Sequence, residues 1–212
     1  MEGRIPWHRI PIPSPVVKLP DPTFDRALSV EAALGGRKSV REFTIQPVTL
    51  RQVSQLLWAA QGVTHGDQLR TAPSAGALYP LELYLIADRV EGLARGVSHY
   101  QPVRHELVEM RDGDFLPGLS AATVDQEWVG DAAAVVVVAV VYERTTRKYG
   151  ERGVRYVHVE AGLAAQNICL QAVSLGLSTV MVGAFNDTQV GRLLNMPADH
   201  RPLVMLPLGM GK

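Results

Sequence analysis

The stretch A-A-A-V-V-V-V-A-V-V-Y, residues 132 to 142, constrains the fold more than any other part of the chain. It is almost unbroken apolar sequence, and most of it is valine, whose β-branched side chain favours strands over helices. A strand without polar alternation is covered on both faces. The chain is therefore predicted to build a sheet around this strand, with helices packed against it.

Other segments supply the neighbours of this strand. Thr49 to Gln52 matches a capping box, and the apolar spacing that follows predicts a helix ended by Gly62. Short helices are predicted at residues 25–34, ended by Gly35-Gly36, and after a cap at Asp187. The remaining predictions are strands at 81–87, 178–184 and 203–209, a hairpin of 97–101 and 105–110 around P-V-R, and a long helix at 153–177.

The long helix carries two apolar faces. One face is formed by Ala161, Ala164, Ala165, Ile168, Ala172 and Leu175, and the other by Val159, Leu163, Leu170, Val173 and Leu177. A helix with two such faces is covered on two sides. The second cover is either another subunit or the chain's own sheet and flanking helices, and the sequence does not choose between them.

Composition excludes several classes of protein. The chain has 212 residues with 21 basic and 21 acidic side chains, which argues against a nucleic-acid partner. No run of apolar residues reaches 18 without interruption, so no membrane span is expected. Cys169 is the only cysteine, the histidines lack HxxxH spacing, and no metal site is expected. We expect a soluble cytoplasmic protein with a proline-rich arm at 1–24 and one domain at 25–212.

Arg37, Ser39 and Arg41 form an R-x-S-x-R pattern. In an extended segment alternate side chains point the same way, so two guanidiniums and a hydroxyl would share one face. Such a set suits a phosphate group. The alternative is a solvated charged turn.

The loop R-T-A-P-S-A-G-A-L-Y-P, residues 70 to 80, lies between the predicted helix and the strand at 81–87. The side chains of Pro73, Ser74, Ala75 and Gly76 are small enough for a planar ring to lie against the backbone. Val182-Gly183 stands at the end of the strand predicted at 178–184, and that end also carries small residues. Strand ends are common cofactor sites. Taken alone, the loop is better interpreted as an ordinary connector.

Lys148 and Tyr149 stand side by side between the valine strand and the long helix. Both side chains can donate or accept protons, which makes them candidate catalytic residues. The alternative is a solvated approach to the helix.

Taken in order, these motifs resemble the nitroreductase superfamily of flavin enzymes, from about Arg37 to the end of the chain. Further matching runs are P-V-T-L-x-x-V-S-Q-L-L-W-A-A-Q-G-V, E-A-G-L-A-A-Q-N, V-G-A-F-N-D and L-P-L-G. The forms S-A-G-A-L-Y-P and K-Y-G-E-R-G-x-R-Y are most similar to the SagB/ThcOx branch, the azoline dehydrogenases. An N-x-Q-P-like run of many nitroreductases is replaced here by Ala77 to Pro80, which also favours that branch.

The resemblance implies an α+β fold with a mixed, mainly antiparallel sheet flanked by helices, and a homodimer with FMN at the interface. By matching positions, Arg37, Ser39 and Arg41 would hold the FMN phosphate and ribityl chain, with Lys212 replacing a basic residue at the C-terminus. Pro73, Ser74, Ala75 and Gly76 would contact the isoalloxazine from the partner subunit. Val182-Gly183 would face the flavin near N5.

The resemblance also implies hydride transfer between a substrate and flavin N5, with Lys148 or Tyr149 taking a proton from the substrate heterocycle. The dehydrogenase version oxidises thiazoline or oxazoline rings in a peptide. The reductase version takes electrons from NAD(P)H and gives them to nitro compounds or quinones. A flavin-binding partner without turnover, in a biosynthetic complex, is the alternative of another class.

Overall fold

The computed structural model describes residues 15–25, 28–66 and 69–212. The strands are β1 (Val16–Lys18), β2 (Val48–Thr49), β3 (Leu81–Ala87), β4 (Val90–Glu91), β5 (Gly96–Gln101), β6 (Glu106–Asp112), β7 (Ala134–Val140), β8 (Ser178–Thr179) and β9 (Arg201–Gly209). The α-helices are α1 (Val30–Gly36), α2 (Leu50–Gln61), α3 (Leu116–Ala121), α4 (Tyr142–Tyr149), α5 (Arg152–Ser174) and α6 (Asp187–Leu193).

Seven strands form one sheet in the order β1-β6-β5-β3-β7-β9-β8, and all its neighbouring pairs are antiparallel. Strands β2 and β4 form a separate parallel pair. Helices pack on the large sheet. The predicted α+β fold with a mainly antiparallel sheet and flanking helices is confirmed, although the parallel pairing lies in the separate β2-β4 pair and not in the large sheet.

The valine-rich strand β7 lies at the middle of the sheet between β3 and β9, and every one of its residues is fully buried. Val136 and Val138 belong to the hydrophobic core that contains residues of α2 and α5. Val135 and Val137 belong to the core on the opposite face, which contains residues of α3 and α6. The predicted strand covered on both sides is confirmed.

Helix α2 begins as its capping box predicts. The amide of Gln52 donates to the Thr49 hydroxyl at 3.2 Å, and the amide of Thr49 donates to the Gln52 side chain at 2.8 Å. The helix ends at Gln61, next to Gly62. The hairpin prediction is also confirmed, since β5 and β6 pair on either side of the turn at 102–105.

The strand predicted at 178–184 is wrong in length, because only Ser178–Thr179 forms β8. Val182 makes an isolated pair with Met205 on β9, in the same register as the pairing of Thr179 with Leu208. Pro207 lies on β9 between these two pairs, at the position whose backbone N–H would point toward the β8 segment. Proline has no N–H to donate, so the ladder is interrupted there.

Two helix starts also differ from the predictions. Helix α1 begins at Val30, where the Ser29 side chain accepts from the Ala32 amide, and it includes both glycines before ending. Helix α6 is capped by Asn186 rather than Asp187, which is its first residue. Helices α3 and α4 and strand β1 have no counterpart in the sequence predictions.

The described part of the N-terminal arm lies on the domain. Strand β1 pairs with β6 at the edge of the sheet, and Leu19 is buried. The ring of Phe24 contacts Trp58 of α2 edge-on, with ring centres 5.2 Å apart. Residues 1–14 lie outside the described part, and the division into an arm and one domain stays a prediction. Across the described residues, every helix is too short or too polar to cross a membrane.

Candidate functional site

The small-residue loop before β3 contains a short 3₁₀ turn, Ala75–Ala77, with a positive φ of 66° at Gly76. Such a φ is readily available to glycine because it has no β-carbon. The Ser74 hydroxyl accepts from the amide of Tyr79 at 2.9 Å, which closes the loop on itself. The predicted cofactor-contacting residues Pro73 to Gly76 therefore form one ordered turn.

Lys148 and Tyr149 end helix α4 and contact this turn. A β-carbon built at Gly76 would lie 2.7 Å from the Tyr149 hydroxyl and 3.0 Å from Lys148 Nζ. The turn to α5 follows at Gly150, whose φ of 59° and ψ of −146° suit only glycine. The structure thus brings together two parts of the sequence that were predicted separately, and it does so within one chain.

Glu160 of α5 lies beneath the same turn and was missed as a functional residue. It is 2% exposed, and its carboxyl group is hydrogen-bonded to the Ser74 hydroxyl and the Ala75 amide. Its Oε1 has no hydrogen-bond partner among the described residues. Burial raises the pKa of Glu160 to about 7, against the lowering effect of these bonds and of Arg70. The signal in the sequence is an acidic residue between Val159 and Ala161 on an apolar helix.

This carboxyl group should make stability depend on pH. Its pKa is about 7 in the folded chain and near the usual 4.5 when unfolded, so the folded state binds more protons between those values. Stability contributed by the protonated group is then lost as pH rises. We expect the free energy of unfolding to fall by about 2 kcal/mol between about pH 5 and pH 7, measured by urea denaturation.

The variant Glu160→Gln keeps the shape of the side chain but cannot ionise, so it should lack this decline. The exposed Glu151→Gln serves as the matched control and should follow the wild type. Parallel pH profiles for the wild type and Glu160→Gln would show that Glu160 does not titrate in this range.

The R-x-S-x-R segment leaves helix α1 in an extended conformation at Arg37. Ser39 pairs with Thr179 of β8, and the side chains of Arg37, Ser39 and Arg41 are exposed. Lys38 is exposed as well, and with Val40 it lines a small cavity against α5. The lining of this cavity does not include Arg37, Ser39 or Arg41.

The end of the chain runs beside this segment. The amide of Lys212 donates to the carbonyl of Glu42 at 3.1 Å, which places Lys212 next to Arg41. Val182 is buried and Gly183 exposed, three and four residues beyond Thr179. A β-carbon at Gly183 would meet no atom within 4 Å, so the backbone there is open to a ligand.

The predicted site residues fall into two groups at different points along α5. The loop group consists of Pro73, Ser74, Ala75, Gly76, Lys148 and Tyr149, and the cation group of Arg37, Ser39, Arg41, Val182, Gly183 and Lys212. The loop group contacts α5 at Glu160. The cation group begins at Arg37, directly after Gly36, and a β-carbon at Gly36 would lie 3.0 Å from Val173 of α5. Thirteen residues of helix separate these contacts by about 20 Å. One chain alone does not bring the two groups together.

The cation group suits a phosphate ester. Arg37, Arg41 and Lys212 form no ion pair with a carboxylate within the described part of the chain. Arginine donors beside a hydroxyl match the geometry of phosphate oxygens. The donor set therefore fits the phosphate end of FMN.

The antiparallel sheet with helices packed on both of its faces is an α+β fold. A model of the nitroreductase family matches residues 34–210. The chain belongs to the nitroreductase family, as its motifs predicted.

Two relatives match by sequence. The protein MJ1384 of Methanocaldococcus jannaschii, assigned as a nitroreductase, is 44% identical over 193 residues, covering 91% of this chain and 95% of the relative. The microcin B17-processing protein McbC of Escherichia coli is 29% identical over 167 residues, or 75% of this chain. That match spans 60% of McbC, so the chain accounts for less than two thirds of it.

Solved structures support the same fold. A protein of Ralstonia eutropha assigned as a nitroreductase superposes with a TM-score of 0.83 and 29% identity, covering 100% of this chain and 96% of the other. The Escherichia coli microcin synthetase McbBCD complex, with truncated pro-MccB17 bound, contains a chain that superposes with a TM-score of 0.73 and 25% identity. This match covers 91% of the present chain and 77% of the other.

Proposed function

We propose that this protein is an FMN-dependent oxidoreductase that oxidises thiazoline or oxazoline rings in a modified peptide. The observation that carries the proposal is the position of Lys148 Nζ and the Tyr149 hydroxyl against Gly76. These two proton-carrying groups lie on the turn that would face the flavin ring. A substrate placed there meets both groups at once.

The cofactor is proposed to be held by both groups of residues. Arg37, Arg41 and Lys212 would bind the phosphate, and the Gly76 turn would lie against the ring. FMN, when bound, supplies a hydride acceptor at N5. The chain's own residues would orient the substrate and hold its protons.

The role proposed for Lys148 and Tyr149 is proton transfer. Removing hydrogen from a ring carbon and its neighbour requires a base for the proton as well as an acceptor for the hydride. The Tyr149 hydroxyl and Lys148 Nζ are the side-chain atoms that would meet a β-carbon at Gly76 most closely. Lys148 Nζ also lies 5.4 Å from the centre of the Tyr149 ring, so the two groups lie side by side.

The peptide substrate is supported by the relatives. McbC is named as a protein that processes microcin B17, and the McbBCD complex was solved with truncated pro-MccB17 bound. By analogy, this chain would work on a peptide together with partner proteins. The reductase with NAD(P)H is the second candidate, favoured by the relative MJ1384 at 44% identity.

A homodimer is proposed because it would bring the two groups of residues together. Helix α5 leaves an exposed apolar strip formed by Val159 and Leu163, one turn apart on the same face, with exposed fractions of 57% and 41%. Its other apolar face is buried in the domain core. A second copy covering the exposed strip would bury apolar surface, which favours association.

The visible absorption spectrum of the purified protein tests the cofactor first. We expect a flavin spectrum, or its appearance on adding FMN. Adding a thiazoline-containing peptide should then bleach the flavin without oxygen, whereas NAD(P)H should bleach it slowly. Rapid bleaching by NAD(P)H with turnover of a nitroarene would replace the dehydrogenase by the reductase. A protein that stays colourless with FMN would overturn both.

A further inference from the structure

A cavity of about 470 Å³ lies at the end of the sheet where β3 begins and the turn between β5 and β6 projects. The residues that line it include none of the predicted cofactor or catalytic residues. It lies behind the Gly76 turn, since its lining includes Arg70 and Leu81 on either side of that loop. Its volume is typical of cavities that bind small molecules.

The cavity carries one unbalanced positive charge. Its lining has three arginines and two glutamates, Arg70, Arg104, Arg144, Glu82 and Glu106. Arg144 pairs with Glu82, and Arg104 with Glu106 at 3.6 Å. Arg70 has no carboxylate within ion-pair distance in the described part of the chain. The lining therefore lacks one negative charge.

Arg70 is held in a fixed position. Its guanidinium stacks on the Tyr79 ring, 4.4 Å from the ring centre, and its Nη1 donates to Gln61 Oε1 at 2.9 Å. Stacking occupies the flat face of the guanidinium and leaves its edge for hydrogen bonds in the plane. Burial lowers the pKa of Arg70, as expected for a charge that has lost water without gaining a close anion.

A second donor lies beside it without an acceptor. Gln61 is fully buried at the end of α2 and lines the cavity. Its Nε2 has no hydrogen-bond partner among the residues described. Buried amide groups are rarely left unpaired because the loss of hydration is costly. A ligand oxygen near Arg70 would give Gln61 an acceptor after a small shift.

The other walls are partly apolar. Val16, Leu81, Leu83 and Val108 line the cavity around the charged residues. They suit the body of an organic molecule rather than a small inorganic ion. The charge, the unpaired donor and these walls describe one kind of ligand.

We propose that this cavity binds a small organic monocarboxylate, with its carboxylate on the edge of Arg70 and beside Gln61 Nε2, and its apolar body against the valine and leucine walls. The proposal does not depend on the oxidoreductase activity. It concerns a second site behind the turn that carries Gly76.

Calorimetric titration with benzoate tests the proposal, with uncharged benzamide as the matched probe. We expect the wild type to bind benzoate and not benzamide. Arg70→Gln should weaken benzoate binding at least about tenfold, because it removes a charge-assisted bidentate contact. The exposed Arg51→Gln, which is remote from the cavity, should bind as the wild type does.

Gln61→Glu provides a second test that does not remove Arg70. It places a carboxylate where the ligand's carboxylate should lie, so benzoate binding should be lost while the protein stays at least as stable as the wild type in urea. Benzoate affinity that is unchanged in both cavity variants would overturn the proposal. Equal binding of benzamide, or no benzoate binding to the wild type up to about 10 mM, would overturn it as well.

Discussion

Replacing Tyr149 with Phe is expected to slow substrate oxidation by about 100-fold or more, because the change removes a proton-transfer group and leaves the ring. The Tyr149 hydroxyl lies against Gly76, where a substrate would meet the flavin in the proposed site. Lys148→Ala should produce a loss of similar size. The measurement is the rate at which a thiazoline peptide bleaches the flavin in a single turnover.

The flavin content of both variants should equal that of the wild type, since the phosphate is assigned to other residues. Tyr156→Phe is the matched control, because the Tyr156 ring packs edge-on against Tyr149 with centres 5.2 Å apart. It tests whether loss of a neighbouring hydroxyl has the same effect. Full activity in both Tyr149→Phe and Lys148→Ala would refute the catalytic assignment.

Replacing Leu163 with Arg should convert the proposed dimer to monomers and release FMN. Leu163 is 41% exposed on the same face of α5 as Val159, so in a dimer an arginine there would be buried without a counter-ion. Sedimentation and the ratio of flavin to protein are the measurements. The two losses should occur together, because neither group of residues holds the whole cofactor.

Val103→Arg is the control for this experiment. Val103 is 64% exposed in the turn between β5 and β6, away from α5. The same substitution there should leave both mass and flavin content unchanged. A monomeric wild type that binds one FMN per chain would contradict the dimer, and a Leu163→Arg protein that keeps its mass would contradict the assigned surface.

The parts of the fold that local sequence determines were predictable. Strand β7 is specified by its own valines, and α2 by the capping box at Thr49. Helix α4 was not predicted, because it is short and mostly polar and is positioned by its neighbours β7 and α5. The break after β8 depends on Pro207, whose missing N–H acts on a segment far away in sequence.

The candidate site shows the same division. The exposure of Arg37, Ser39 and Arg41 was predictable, because three polar side chains at a period of two suit one face of an extended segment. The contact of Gly76 with Lys148 and Tyr149 joins segments about seventy residues apart and required the structure. The burial of Glu160 was equally hidden, since it depends on the turn that covers it.

The distance between the two groups of residues along α5 has a consequence for damaged protein. In the proposed dimer each cofactor would rest on the loop group of one chain and the cation group of the other. A chain with a local defect near Gly76 would then impair the cofactor site that it shares with an intact copy. In a mixed population, a damaged chain would therefore also lower the activity of the intact chain it pairs with. If a dimer needs both sites, the fraction of lost activity would exceed the fraction of damaged chains.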